Sequence, residues 1–171
     1  MNYFYICTFL LFLSNIAYSF KRQSPFLFLL KQNIHNKKII TLSPGGFRGF
    51  YVLGICKYIK ENYDLSDYVF SGASAGAWNS LFLCYDGEMD KFINSIMNID
   101  VKNQKSLYSI QQNIKEILLE LLDENDFDFD KLYIGTTIIK KLRFHPVIYS
   151  EFKDLEDAID CCIASSHIPF I

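Results

Sequence analysis

The sequence predicts an α/β domain built on a mostly parallel sheet. Two glycine-rich turns carry this prediction, Ser43-Pro44-Gly45-Gly46-Phe47-Arg48-Gly49 and Gly72-Ala73-Ser74-Ala75-Gly76. Each stands between a short apolar run that suits a buried strand and a pattern that suits a helix. Strand-like and helix-like segments also alternate along the rest of the chain, which is the pattern of βαβ units.

The elements follow in order. Ile39-Ile40-Thr41-Leu42 is apolar and β-branched, and predicts a strand over 38–43. A helix is expected over 47–62, with Phe50, Leu53, Gly54, Tyr58 and Ile59 sharing one face. Tyr68-Val69-Phe70-Ser71 predicts a second buried strand over 67–72, and the apolar run from Ala75 predicts a buried helix over 75–85. Asp86-Gly87 marks a turn. The stretch 88–99 is amphipathic. A longer amphipathic helix is expected over 106–124, carried by Leu107, Ile110, Ile114, Ile117, Leu118, Leu121 and Leu122. Residues 123–130 form an acidic turn. Strands are expected over 132–139 and 144–149, and Pro146 requires the second to be an edge strand or to bulge, because proline cannot donate to a ladder. The stretch 154–164 reads as a helix.

The chemistry lies in the two turns. Gly72-Ala73-Ser74-Ala75-Gly76 fits G-x-S-x-G between strand and helix, the nucleophile elbow. There Ser74 is the candidate nucleophile, and Gly72, Ala73, Ala75 and Gly76 are small so that strand and helix approach behind it. The upstream turn exposes backbone N–H groups at the positive end of a helix dipole. Such a turn holds a phosphate or an oxyanion, and a serine elbow downstream favours the oxyanion. Gly45, Gly46, Arg48 and Gly49 are its candidate residues. A phosphate-binding P-loop would need a Gly-Lys-Ser/Thr ending, which is absent, and no acidic ribose ligand stands where a dinucleotide fold wants one.

Composition bounds the rest. With 171 residues the chain suffices for one domain with a sizeable core. Half the residues are apolar and the net charge is −2, which points away from a nucleic-acid partner and from disorder. Residues 3–13 are almost unbroken apolar, Ala17-Tyr18-Ser19 resembles a small-x-small cleavage site, and Lys21 and Arg22 follow. Residues 1–19 are therefore expected to be a secretory signal peptide, placing the protein in the secretory pathway. The alternative is an uncleaved membrane anchor over 3–20. A linker is expected over 20–37, with an apolar patch at 26–30. Cys56, Cys84, Cys161 and Cys162 lack zinc-ligand spacing and are expected to be buried small hydrophobes. Asp126, Asp128 and Asp130 read as a solvated turn rather than a calcium loop, so neither a metal nor a cofactor is expected. Trp78 is expected in the core, and His167 as structural rather than as part of a triad.

The two turns, followed by Cys162-Ile163-Ala164-Ser165-Ser166-His167-Ile168-Pro169-Phe170, stand in an order that resembles the patatin-like phospholipase family, in the branch of the triglyceride lipases and adiponutrin. The resemblance runs over 38–171. It implies a three-layer α/β/α fold with a mostly parallel central sheet, and lipid esters as substrates at a membrane or lipid-droplet surface. It also implies a serine–aspartate dyad without histidine. Ser74 matches the nucleophile, and Gly45, Gly46 and Gly49 with Arg48 match the oxyanion-stabilising segment. Pro44 stands where the family often has a glycine, and removes one N–H donor. The family's aspartate belongs to a D-G-G or D-G-A motif shortly after the Ile-Pro segment. The sequence stops at Ile171, ahead of that motif, so the domain is expected to be C-terminally incomplete. Two functions follow as expectations: a lipid acyl hydrolase working through an acyl-enzyme, or a member that binds lipid or a partner without its base.

Overall fold

The structure is a computed structural model that describes residues 37–99, 104, 106–140 and 143–168. The expected signal peptide or anchor, nearly all of the linker, and Pro169 to Ile171 lie outside the described residues. Among the described residues, no helix is long and apolar enough to cross a membrane.

The chain runs β1 (Lys38–Leu42), a single 3-10 turn (Gly46–Arg48), α1 (Gly49–Asn62), β2 (Tyr68–Ala73), α2 (Ala75–Leu83), α3 (Met89–Met97) and α4 (Leu107–Leu121). Two more 3-10 turns (Glu124–Asp126, Phe129–Lys131) lead into β3 (Leu132–Lys140), β4 (Arg143–Tyr149) and α5 (Leu155–Ser166). The sheet is open, with strand order β1-β2-β3-β4. β1, β2 and β3 are parallel, and β4 returns antiparallel to β3. The fold is thus a mostly parallel α/β sheet flanked by helices, as expected. Pro146 lies on β4, the edge strand, where its missing N–H leaves no central ladder bond unmade.

Register places the core. Ile40, Phe70 and Leu132 stand side by side, and one step further Leu42, Gly72 and Ile134 do the same. Phe70, Leu132 and Ile134 are fully buried in the core formed with α2. α2 is hidden almost all round, with Ala77, Leu81, Phe82 and Leu83 among its buried residues. A helix apolar on every side has to be central, and α2 packs on β1, β2 and β3 with α1 and α5 beside it. Below it, Phe82, Tyr85, Phe92 and Phe127 form a chain of tilted and edge-on rings. The acidic turn is tied to this cluster by Asp86 N–H to Asp126 O (2.7 Å) and Asp128 N–H to Cys84 O (2.9 Å).

The inward face of α1 differs from the expected one. Leu53 and Cys56 are the buried residues, while Gly54 and Tyr58 are exposed. Leu53 faces inward as expected, with Phe50 and Ile59 partly buried, and packing against α2 brings in Cys56 in place of Gly54 and Tyr58. The cysteines follow expectation: Cys56, Cys84 and Cys162 are buried and Cys161 is partly so.

Candidate active site

Ser74 sits between the last residue of β2 and the first of α2, at φ +56° and ψ −125°. Apart from Glu151 it is the one non-glycine residue with positive φ among the described residues. A serine held in that region costs free energy, and the surroundings must enforce it. They do so by close approach. A Cβ on Gly72 would collide with the backbone of Gly76, and would lie 2.6 Å from Ser80 Oγ. A Cβ on Gly76 would collide with Leu42 O, at the end of β1. The elbow is therefore pressed against two strands at once, and Ala73 and Ala75 on either side of Ser74 keep the turn narrow.

The glycine-rich turn leaves the same end of the sheet. Leu42 pairs with Gly72, so β1 and β2 end level and both turns leave from adjacent strand ends. Gly46 adopts φ +54° with open space around its Cα, so glycine is required here by the backbone rather than by crowding. Gly49 has the opposite reason: a Cβ there would lie 2.8 Å from the Ala75 Cβ. Asn79, buried on α2, donates from its side chain to Gly49 O (3.2 Å) and Ala75 O (3.0 Å), which joins the two turns. Within the first turn, Arg48 N–H donates to Gly45 O (3.1 Å), and Gly49 N–H to Gly46 O and Phe47 O. The N–H groups of Gly46 and Phe47 have no acceptor among the described residues. Arg48 is exposed.

The third segment holds the elbow from the far side. Ser74 N–H donates to Ser165 Oγ (2.7 Å), which itself donates to Gly135 O on β3 (2.6 Å). One hydroxyl thus pins the elbow to the neighbouring strand. Ser166 Oγ accepts from Trp78 Nε1 (3.1 Å) and Gln111 Nε2 (2.8 Å), and donates to Cys162 O (2.7 Å). Trp78 is half-buried, with its indole N–H used in this network. Gln111 is 3 % exposed, and its Oε1 is left unpaired, as is Thr136 Oγ1 beside Gly135. Ser165 and Ser166 were visible in the sequence only as part of the string that carries the family resemblance. Gln111 and Asn79 gave no sequence signal beyond polar residues inside apolar helices.

Ser74 Oγ makes no hydrogen bond among the described residues, although Ser74 occupies the N-cap position of α2. Two acids on α5 are bonded to other groups: Asp160 to Lys115 (2.6 Å), and Asp157, which accepts from Lys153 N–H (3.3 Å). His167 is exposed and lies edge-on to Tyr108, with ring centroids 6.5 Å apart. A cavity of about 240 Å3, lined by Lys60, Asp64, Cys84 and Lys131, lies at the opposite end of the strands from the elbow. There Lys60 Nζ donates to Leu83 O (2.9 Å) and Tyr85 O (2.6 Å), closing the C-terminus of α2, and burial lowers its pKa. That cavity is a helix cap, remote from Ser74. Among the described residues no cluster of three or more His, Cys, Asp or Glu could hold a metal.

Comparison with known proteins places this arrangement. No curated protein matches the sequence. Among solved structures, a chain of the heterodimeric ExoU–SpcU complex, from the type III secretion system of Pseudomonas aeruginosa, is similar at 17% identity and TM-score 0.45. The likeness covers 77% of this chain and 36% of that one. The model of the patatin-like phospholipase family matches residues 40–171, from β1 through both turns and α5 to the last residue. The match takes in well over half the chain, and this protein belongs to the patatin-like phospholipase family.

Proposed function

We propose that this domain is a lipid acyl hydrolase in which Ser74 is the nucleophile. One observation carries the reading: a non-glycine residue at φ +56° on a strand-to-helix turn, with its hydroxyl unused by the fold. Ser74 Oγ attacks the ester carbonyl carbon and its proton passes to a base. The carbonyl oxygen becomes the oxyanion, and the unpaired N–H groups of Gly46 and Phe47, with Gly45 beside them, receive it. Collapse of the tetrahedral species expels the alcohol, which takes up a proton. Water then attacks the acyl-enzyme and releases the fatty acid. Arg48 stands exposed beside this turn, where a lipid phosphate would meet it.

A second reading is favoured by a separate observation. Among the described residues no carboxylate or imidazole bonds Ser74 Oγ, and a serine without a base is a weak nucleophile. In that case the domain holds a lipid or a partner and turns over slowly. A fluorophosphonate probe separates the two. Labelling at Ser74 that vanishes in Ser74→Ala, with ester hydrolysis lost in parallel, is expected for the hydrolase. Labelling that survives in the alanine variant would place the nucleophile elsewhere. No labelling of the full chain would leave the binding reading.

A further inference from the structure

We propose that the ribbon formed by the outer halves of β3 and β4 docks the protein onto an anionic phospholipid surface, an inference that rests on the reading of Ser74's edge as a lipid-hydrolysing one. The register shows where the ribbon points. Ala73, the residue before Ser74, pairs with Gly135 on the parallel strand β3. Beyond Gly135, β3 has no partner on β2 and continues through Thr136–Lys140, paired only to β4 from Thr136↔Val147 to Lys140↔Arg143. Five further residues at a rise of about 3.3 Å carry the ribbon about 16 Å past the level of the elbow, from the same edge of the sheet.

A two-stranded ribbon buries little by itself. Ile139 and Phe144 stand directly opposite one another and are 60% and 70% exposed. Ile138, across the ribbon from them, is 39% exposed. Apolar side chains of this size on a projecting ribbon are what a contact surface needs. The charge decides what they contact. From Leu132 to Ser150 the sequence has no Asp or Glu, while the paired positions Lys140 and Arg143 add two positive charges, Arg143 exposed beside Phe144, in a chain of net −2. A cationic ribbon with exposed apolar side chains complements an anionic lipid surface, where Arg143 meets headgroups and Ile139 and Phe144 enter the acyl boundary. At the same edge, exposed Phe47 and Arg48 on the glycine-rich turn repeat this pairing of aromatic and cation. Docking there sets Ser74 against the surface that holds its substrate. Pro146 on β4 weighs against a strand from another protein adding to this edge.

The test is co-sedimentation of the full chain with vesicles of phosphatidylcholine and phosphatidylserine. Ile139→Ser/Phe144→Ser should weaken partitioning about tenfold or more, since each side chain gives up apolar burial. Arg143→Glu should weaken it about fivefold or more, an effect that high salt or pure phosphatidylcholine removes. Both variants should keep the parent's melting temperature, because the substituted side chains are exposed. Phe144→Trp should show fluorescence quenched by brominated acyl chains beyond the quenching of Trp78 in the parent. Vesicle binding unchanged in the double variant, or a Phe144→Trp variant quenched no more than the parent, would overturn the proposal. So would a dimer in solution that the double variant dissociates in the absence of lipid binding, which would assign the ribbon to a second copy. Ser74→Ala should bind vesicles like the parent, so failure of the catalytic reading and failure of docking show up in different measurements.

Discussion

Ser165 is the residue on which the site's geometry turns. Its hydroxyl accepts the Ser74 N–H and donates to Gly135 O, so it is fully used between the elbow and β3. Ser165→Ala leaves a donor and an acceptor without partners in a half-buried place. The expected cost is about 1–3 kcal/mol of stability, together with slower probe labelling of Ser74, because the strained turn relaxes once its clamp is gone. Urea unfolding and labelling rate check the two parts separately. A variant that loses stability yet labels at the parental rate would show that Gly72 and Gly76 alone hold the elbow.

The helices divide by how they begin. α4 and α5 start on side-chain caps: Ser106 with Ser109 in a reciprocal capping box, and Asp154 accepting from Asp157 N–H (2.8 Å). α1 and α2 start at the two turns with no side-chain cap, and α3 after Glu88 also starts without one. The four N-terminal N–H groups of a helix have to be satisfied by caps, water or ligands. The absence of side-chain caps at the two turns leaves helix-start donors and dipole free to meet a negative group there, as the proposed hydrolase would require. Asp154→Ala should therefore cost about 1 kcal/mol of stability and leave Ser74 labelling unchanged, as read from thermal melts and probe kinetics. α5 bears Ser165 at its far end, so a labelling defect would mean that fraying travels the length of the helix.

On the scale of the whole domain, the four thiols among the described residues are buried or partly so. Burial pushes Cys56 up to about 11 and Cys161 up to about 12, and drives Cys84 and Cys162 up further. The folded state thus favours the neutral thiol over the thiolate more than the unfolded chain does. Folded values lie above the ordinary 9.0, so this stability is fully present below pH 9.0 and is lost as pH climbs toward about 11. Urea midpoints should fall across that window, and Cys56→Ala should flatten the fall. At neutral pH the native protein should alkylate slowly at these four positions and rapidly once unfolded, as a mass shift records.

Strand and helix order was legible because the local signals agree: β-branched runs before glycine turns, apolar periods after them, and a proline that admits only an edge strand. The elbow was legible for the same reason, since a strained turn between close-packed elements admits only small residues around Ser74. Other features had no local signal. Which face of α1 turns inward was decided by α2, a long-range contact that moved Cys56 in and Tyr58 out. That Ser165 and Ser166 brace the elbow depends on a separation of 91 residues between Ser74 and Ser165, and hydroxyls at such distances pair only once β3 and α5 have docked. The sequence by itself determined the elements, their order and the candidate nucleophile, because those rest on neighbours within a few residues. Only the tertiary structure decided which N–H groups stay unpaired and which hydroxyl clamps the turn, since hydrogen bonding between distant segments is settled by packing.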